Sequence, residues 1–283
     1  MRFVMVSLVC LTVAAILVGC GGGGSGSGVS GLQIYITDAP IDAHGIIVTI
    51  TSVEVHEATA GWVTLKTYDP PLEIDLMDYQ ARFEFDGDPA TQPEYLLLDQ
   101  PLAAGHYTMV RLHVSGVGVV LEEGAEPIAV DMNNLDQTGI KLNREFTVAS
   151  GQSVALLLDF NGKSSIVEMG QGSYKLQPVI AMVPKDISAT IKGTVAFMDA
   201  SPAPVPVPEG AVLEVYEAGG TTLAGSGSIS TEDGSFAIGC LLPGTYDLKV
   251  NATGYAADTV RLPGVVVGVA ETKDVGTITV SPP

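Results

Sequence analysis

Positive charge is scarce in this chain. Of 283 residues, 13 are Lys or Arg against 32 Asp or Glu, leaving a formal net charge of −19. The basic residues are spread thinly and form no stripe, so the phosphate neutralisation that supplies most nucleic-acid affinity has no source. Nucleic acid is excluded as a partner. An acidic surface favours solubility and weak attraction for divalent cations instead. Aromatic residues are also few, at 6% with a single Trp, which is lean for a surface built to stack on sugars. Cysteine is limited to Cys10, Cys20 and Cys240, with no C-x-x-C or Cys/His spacing of a zinc site. A disulfide would have to join Cys20 to Cys240, and nothing in the sequence supports that pairing. No G-x-S-x-G or H-E-x-x-H occurs, so two common hydrolase signatures are missing. "NGKSS" at 161–165 echoes the end of a phosphate-binding loop, but the position of its first glycine is Leu157, and the segment is expected in a hairpin rather than a strand-to-helix turn. The expectation is a protein that is not an enzyme and carries no cofactor.

Apolar residues are concentrated at the start. After Met1-Arg2, residues 3–18 are interrupted only by Ser7, Cys10 and Thr12, a run short for a membrane span but suited to the core of a secretory signal. It ends in Leu17-Val18-Gly19-Cys20, which resembles the bacterial lipobox. Small Val and Gly let an extended backbone enter a membrane peptidase, and cleavage before Cys20 would leave a lipid-bearing, palmitate-type N-terminus. The alternative, a plain signal anchor with an incidental cysteine, is disfavoured by the "GGGGSGSGVSG" that follows, a random coil of roughly 18 Å root-mean-square reach. Two or three acyl chains hold far more firmly than one. Residues 1–19 therefore read as a lipoprotein signal and 20–30 as lipidated cysteine and linker. Gly21, rather than Asp, after the cysteine points to the outer membrane by the sorting rule usual for such lipoproteins.

Beyond residue 30 helical periodicity is hard to find and period-2 alternation is pervasive, punctuated by Gly, Pro and Asn. A chain of this length suits two modest domains. "LQIYIT" (32–37) puts Leu32, Ile34 and Ile36 on one face. In "IIVTITSVEVHE" (46–57) the apolar parity changes around Thr51-Ser52, which predicts a bulge or bend. "GHYTMVRLHV" (105–114) places Thr108, Val110, Leu112 and Val114 inward and Tyr107, Met109, Arg111 and His113 outward. His106 and His113, an odd number of residues apart, are expected on opposite faces. "SVALLLDFNGKSSIVEM" (153–169) reads as a hairpin turning at Asn161-Gly162, and a short helix is expected near Tyr79–Glu84. From about Ile187, short strands at regular spacing predict a sandwich of about seven strands. Each block carries L-x-x-G-x-Y at a strand start, "LAAGHY" and "LLPGTY". There Gly permits a tight entry turn, and Tyr can bury its ring while its hydroxyl finds backbone.

Two resemblances rest on these residues. "GLQIYITDAPID", "VTITSVEVHEATAGWVTL", "LAAGHYTMVRLHV", "KLNREFTVASGQSVALLLDFNGKSSIV" and "YKLQPVI" resemble a bacterial domain family of unknown function common in secreted lipoproteins. "IKGTVAF", "STEDGSFAIGCLLPGTYDLKV" and Gly254-Tyr255 resemble the carboxypeptidase-regulatory-like, transthyretin-like sandwich. The resemblances imply an all-β protein of two β-sandwich domains, at 31–185 and 187–283, with no catalytic role assigned to either. In the second, Cys240 is expected to be a small buried hydrophobe.

Candidate sites are few. Asp38, Asp42 and His44 in "TDAPIDAHG" could gather around a cation, although a turn capped by Asp38 and stiffened by Pro40 is the favoured account. The acid-rich 75–94 lacks the ligand order of a calcium loop and reads as solvated. The alternating prolines of "SPAPVPVPEG" (201–210) read as a stiff extended loop. Trp62 is expected to anchor a core or edge and could stack on a sugar. Tyr107, Arg111 and His113 could form a ligand patch, although an ordinary exposed strand face is favoured. Together these features describe a lipid-anchored envelope protein without catalysis, contacting a polysaccharide or an envelope protein. A carbohydrate-binding module is one alternative; a metal-dependent hydrolase using Asp38, Asp42 and His44 is another.

Overall fold

The computed structural model describes residues 30–38, 43–79, 94–201, 203–255 and 261–282. The segment containing Leu17, Val18, Gly19 and Cys20 lies outside them, as does Asp42. The described residues are built almost wholly from strands, nineteen of them, in four sheets.

The first half contributes β1 (Gly31–Asp38), β2 (Gly45–Glu57), β3 (Gly61–Asp75), β4 (Tyr95–Pro101), β5 (Gly105–Val120), β6 (Ile128–Asp131), β7 (Ile140–Val148), β8 (Ser153–Phe160), β9 (Ile166–Gly170), β10 (Ser173–Leu176) and β11 (Ile180–Pro184). One sheet has the order β11-β8-β1-β4; the facing sheet runs β3-β2-β5-β6-β10-β9, with β7 also on β5. Their inner faces share one apolar core, including Leu32, Ile34 and Ile36 of β1, Val53 and Val55 of β2, and Val110 and Leu112 of β5. The second half contributes β12 (Ala189–Met198), β13 (Pro204–Val205), β14 (Val212–Glu217), β15 (Leu223–Ser228), β16 (Ser235–Leu241), β17 (Gly244–Asn251), β18 (Arg261–Val267) and β19 (Thr272–Val280). Sheets β13-β12-β16, with β19 on β12, and β15-β14-β17-β18 enclose a separate core around Ile191, Phe197, Leu213, Phe236 and Leu248.

The parity change in β2 is a bulge: register slips between Ile50 and Ser52 against both β3 and β5. Opposite it, residues 68–71 of β3 leave the ladder. Pro70 and Pro71 stand in that gap, where their missing N–H groups cost no ladder bond. Both tyrosines of the repeated phrase bury their rings and donate backward to backbone, Tyr107 Oη to Ala103 O at 2.9 Å and Tyr246 Oη to Leu242 O at 2.6 Å.

Several expectations need correcting. Tyr107 does not face outward: it is 2% exposed and stacks on Phe146. Register slips between Tyr107 and Met109, which resets the alternation. Val110 and Leu112 keep the inward positions, and His106 and His113 both escape burial. Asn161-Gly162 does not turn a hairpin. β8 and β9 belong to different sheets, and Asn161 caps a one-turn helix at Gly162–Ser165 by accepting from Ser164 N. A 3-10 turn occupies Leu76–Tyr79; the short helix expected over 79–84 lies, from residue 80 on, outside the described residues. The Gly/Ser-rich "LAGSGS" forms β15 on the edge beside β14, a strand its composition hides. Gly225 is needed there, because a Cβ would lie 2.9 Å from Ile238 and 3.3 Å from Leu241.

β8 explains how the halves meet. "LLLDF" is an unbroken buried run, the pattern of a strand covered on both faces. Leu156, Leu158 and Phe160 enter the first core, while Leu157 packs outward with Val183 on Cys240 of the second half. Asn161 Nδ2 donates across to Ser226 O and Oγ at 3.1 and 2.6 Å, and Lys163 Nζ donates to Gly210 O at 3.1 Å.

Candidate functional site

The outer face of β3, β2 and β5 gathers the most chemistry. Antiparallel register sets Glu54 of β2 opposite Thr64 of β3 and Arg111 of β5, and sets the neighbouring His56 opposite Trp62 and Met109. Valines 53 and 55 point into the core, so alternation turns Glu54 and His56 out to meet these partners.

Glu54 is the centre. Its Oε2 accepts from Arg111 Nε at 2.7 Å, from Arg111 Nη2, and from His113 Nε2 at 3.0 Å; its Oε1 accepts from Thr64 Oγ1 at 3.0 Å. Both carboxylate oxygens are thus engaged, Oε2 by three donors and Oε1 by one. Burial alone would raise the Glu54 carboxyl, but hydrogen bonds from His113, Arg111 and Thr64, with the Arg111 charge, outweigh it and hold the group below the usual carboxylate value. The pair fixes Arg111, whose guanidinium carbon lies 3.9 Å from the Trp62 ring centroid, a distance of cation–π attraction. His56 meets Trp62 edge-on at 5.0 Å between centroids, and its Nδ1 lies 2.9 Å from Thr108 Oγ1.

The sequence candidates therefore divide. Trp62, Arg111 and His113 come together; Tyr107 is removed to the core. Glu54 was missed, although its signal is in the sequence: "VEVHE" and "VRLHV" alternate in the same sense, and pairing them sets an acid opposite an arginine. Asp38 ends β1, and the turn expected after it, with Pro40, lies outside the described residues. Asp38 is 1% exposed, and its Oδ1 accepts from Gly162 N at 3.0 Å. His44 is exposed, and its backbone N–H donates to Val120 O at 2.9 Å. In the acid-rich stretch, Asp75 Oδ1 accepts from Ile46 N and Met77 N, and Glu94 pairs with Lys185. Among the described residues no group of three or more His, Cys, Asp or Glu is arranged to hold a metal ion, and no helix is long and apolar enough to cross a membrane.

The fold and this face define an all-β, two-core protein whose most organised polar cluster lies on an outward sheet surface. Residues 29–178 match the family described as a domain of unknown function (DUF4382), and the chain belongs to that family. No curated protein sequence matches it. Similar solved structures share little sequence. The Bacillus anthracis TIE protein is 10% identical, with 89% of this chain and 34% of that one covered at a TM-score of 0.25; the present chain thus spans about a third of its length. A minor pilin of Streptococcus agalactiae is 13% identical, with 89% and 96% covered at 0.26. The major pilin subunit of Bacillus cereus is 11% identical, with 89% and 70% covered at 0.24.

Proposed function

We propose that this protein is a non-catalytic binding or structural module of the bacterial cell envelope, lipid-anchored at Cys20 and held off the membrane by its Gly/Ser linker. In this reading Leu17, Val18 and Gly19 direct cleavage, Gly21 directs the product to the outer membrane, and the folded part comprises the family domain and a carboxypeptidase-regulatory-like sandwich. The observation that supports the non-catalytic reading is the engagement of Glu54 by Arg111, His113 and Thr64. A general base at neutral pH needs a carboxyl tuned upward, whereas hydrogen bonds and the Arg111 charge hold Glu54 low. It orients Arg111 over Trp62 and is not placed to move protons.

Convergence of Trp62, Arg111 and His113 on one outward face supports a second, narrower reading, in which the partner is a polysaccharide. The alternative at this face is an internally satisfied edge cluster. Two experiments separate the readings. Cys20→Ala is expected to abolish palmitate labelling and release the protein from membranes; retention of an uncleaved, membrane-bound chain refutes the anchor. Thermal unfolding against cell-surface polysaccharides is expected to show a raised midpoint for one of them, about 2.7 kcal/mol at a hundred times its dissociation constant, abolished by Trp62→Ala. A flat panel leaves protein partners as the binding class.

A further inference from the structure

A second site lies where the two halves meet. A cleft of about 250 Å³ is lined by Leu142, Arg144 and Met182 of the first half and by Glu217, Leu242 and Tyr246 of the second. Its floor is buried, since Met182, Val183, Cys240 and Tyr246 are each at most 6% exposed. The sequence of β7 makes Arg144 conspicuous. Ile140, Leu142, Phe146 and Val148 form its buried row, and Arg144 stands between Leu142 and Phe146 where an apolar residue would continue it. Among the described residues Arg144 has no hydrogen bond and no ion pair, in a chain with only 13 basic side chains. Glu217 of the second half, exposed and also lining the cleft, likewise has no cationic partner among the described residues and does not come within ion-pair distance of Arg144.

Both charges act on the cleft. Burial raises the Tyr246 phenol, Glu217 raises it further, and Arg144 acts in the opposite sense; Arg144 is also felt at the Cys240 thiol on the floor. A half-buried guanidinium without a partner forgoes strong bidentate hydrogen bonds that a carboxylate would supply. Pockets of this kind, mostly apolar with a few placed polar groups, occur preferentially at domain interfaces.

We propose that this cleft binds a small zwitterion with an apolar body, an α-amino acid such as leucine being the simplest. Arg144 takes the carboxylate, Glu217 takes the ammonium, and Leu142, Met182 and Leu242 cover the side chain. Two opposite charges in one cleft, one from each half and each without an ion-pair partner among the described residues, fit such a ligand better than a simple anion, which Glu217 would repel. A cavity slightly smaller than the usual range of about 300–1,000 Å³ limits the occupant to this size. The site is independent of the face around Glu54, so either can fail without the other.

Calorimetric titration of the full chain with L-leucine, leucinamide and N-acetyl-leucine tests the proposal. Saturable leucine binding is expected, weakened at least about tenfold, or 1.4 kcal/mol, when either ligand charge is removed. Arg144→Met and Glu217→Gln are expected to reproduce those losses while Trp62→Ala leaves leucine affinity unchanged. Absence of leucine binding to the wild-type chain overturns the proposal without needing a variant to fold. Equal affinity for leucinamide overturns the role of Arg144, and equal affinity for N-acetyl-leucine that of Glu217.

Discussion

Cys240 owes its character to backbone as much as to side chain. Its φ is +54°, a left-handed value that L-residues adopt at a cost, and β16 slips register beside it, where Ala189 pairs with Leu241 but Ile191 with Ile238. The bulge leaves Leu241 in the second core and turns Cys240 toward Leu157 and Val183, with Sγ 3.6 Å from Leu157 O. Burial, then the nearby Asp159 charge, pushes the thiol well above its ordinary value. A thiol held protonated is a poor nucleophile, so Cys240 is expected to resist iodoacetamide until the protein unfolds. Cys240→Ser is expected to cost about 1 kcal/mol in urea titration through burial of a more polar group, with no change on non-reducing gels. Glu54 sets a pH window. Its folded carboxyl is depressed, so its stabilisation is fully present above the ordinary Glu value of about 4.3 and is lost as pH falls through the folded value. Glu54→Gln is therefore expected to lower the melting temperature at pH 7, with the difference from wild type shrinking as pH falls through the folded Glu54 value. A constant difference across that range would show that packing, not charge, holds Arg111.

At the scale of strands, alternation was readable wherever one face meets a core and the other meets solvent. It located β1, β2, β5 and the bulge at Thr51-Ser52. It failed where a second surface intervenes. The turn after β8 looked like a hairpin because Asn-Gly favours one locally. Tertiary partners decide otherwise: Asp38 takes the Gly162 N–H, Ser226 takes the Asn161 amide, and the chain crosses to the other sheet. Tyr107 was misplaced because parity cannot be carried through an unseen bulge. At the candidate site Arg111 and His113 were legible as an outward row, while Trp62, expected as a core or edge anchor, and Glu54 needed the pairing of β2 with β3 and β5, which is a register and not a pattern. Backbone proximity yields a sharp expectation at Gly193, where a Cβ would meet Gly276 O at 2.6 Å. Gly193→Ala must separate β12 from β19 and is expected to lower stability by about 1–3 kcal/mol, measurable as a reduced denaturation midpoint.

For the whole molecule, the sheet β11-β8-β1-β4 is the shared layer, with the first core on one side and contacts to the second half on the other. Alternation and the family resemblances pointed to an all-β chain, but nothing read from the sequence said that β8 would be covered on both faces or by which segment. The covering makes the halves interdependent. A chain ending at residue 186 would expose Leu157 and Val183 on one face and is expected to bind a hydrophobic dye and aggregate, as contiguous exposed apolar patches do; a soluble, dye-free fragment would show that the contact is dispensable. Asn161→Ala, which removes the cap and both bonds to Ser226, is expected to cost about 0.5–2 kcal/mol and to split a single calorimetric transition into two.

The position of β1 has a mechanical consequence. It begins at Gly31, directly after the Gly/Ser-rich run of 21–30, and lies between β8, parallel to it over eight residue pairs, and β4, antiparallel to it. Tension entering at Gly31 runs along a central strand, so both ladders are loaded in shear and must yield together, whereas an edge strand could unzip one bond at a time. Forced unfolding is governed by the unfolding barrier, and a pull from the N-terminus meets that barrier in its least compliant direction.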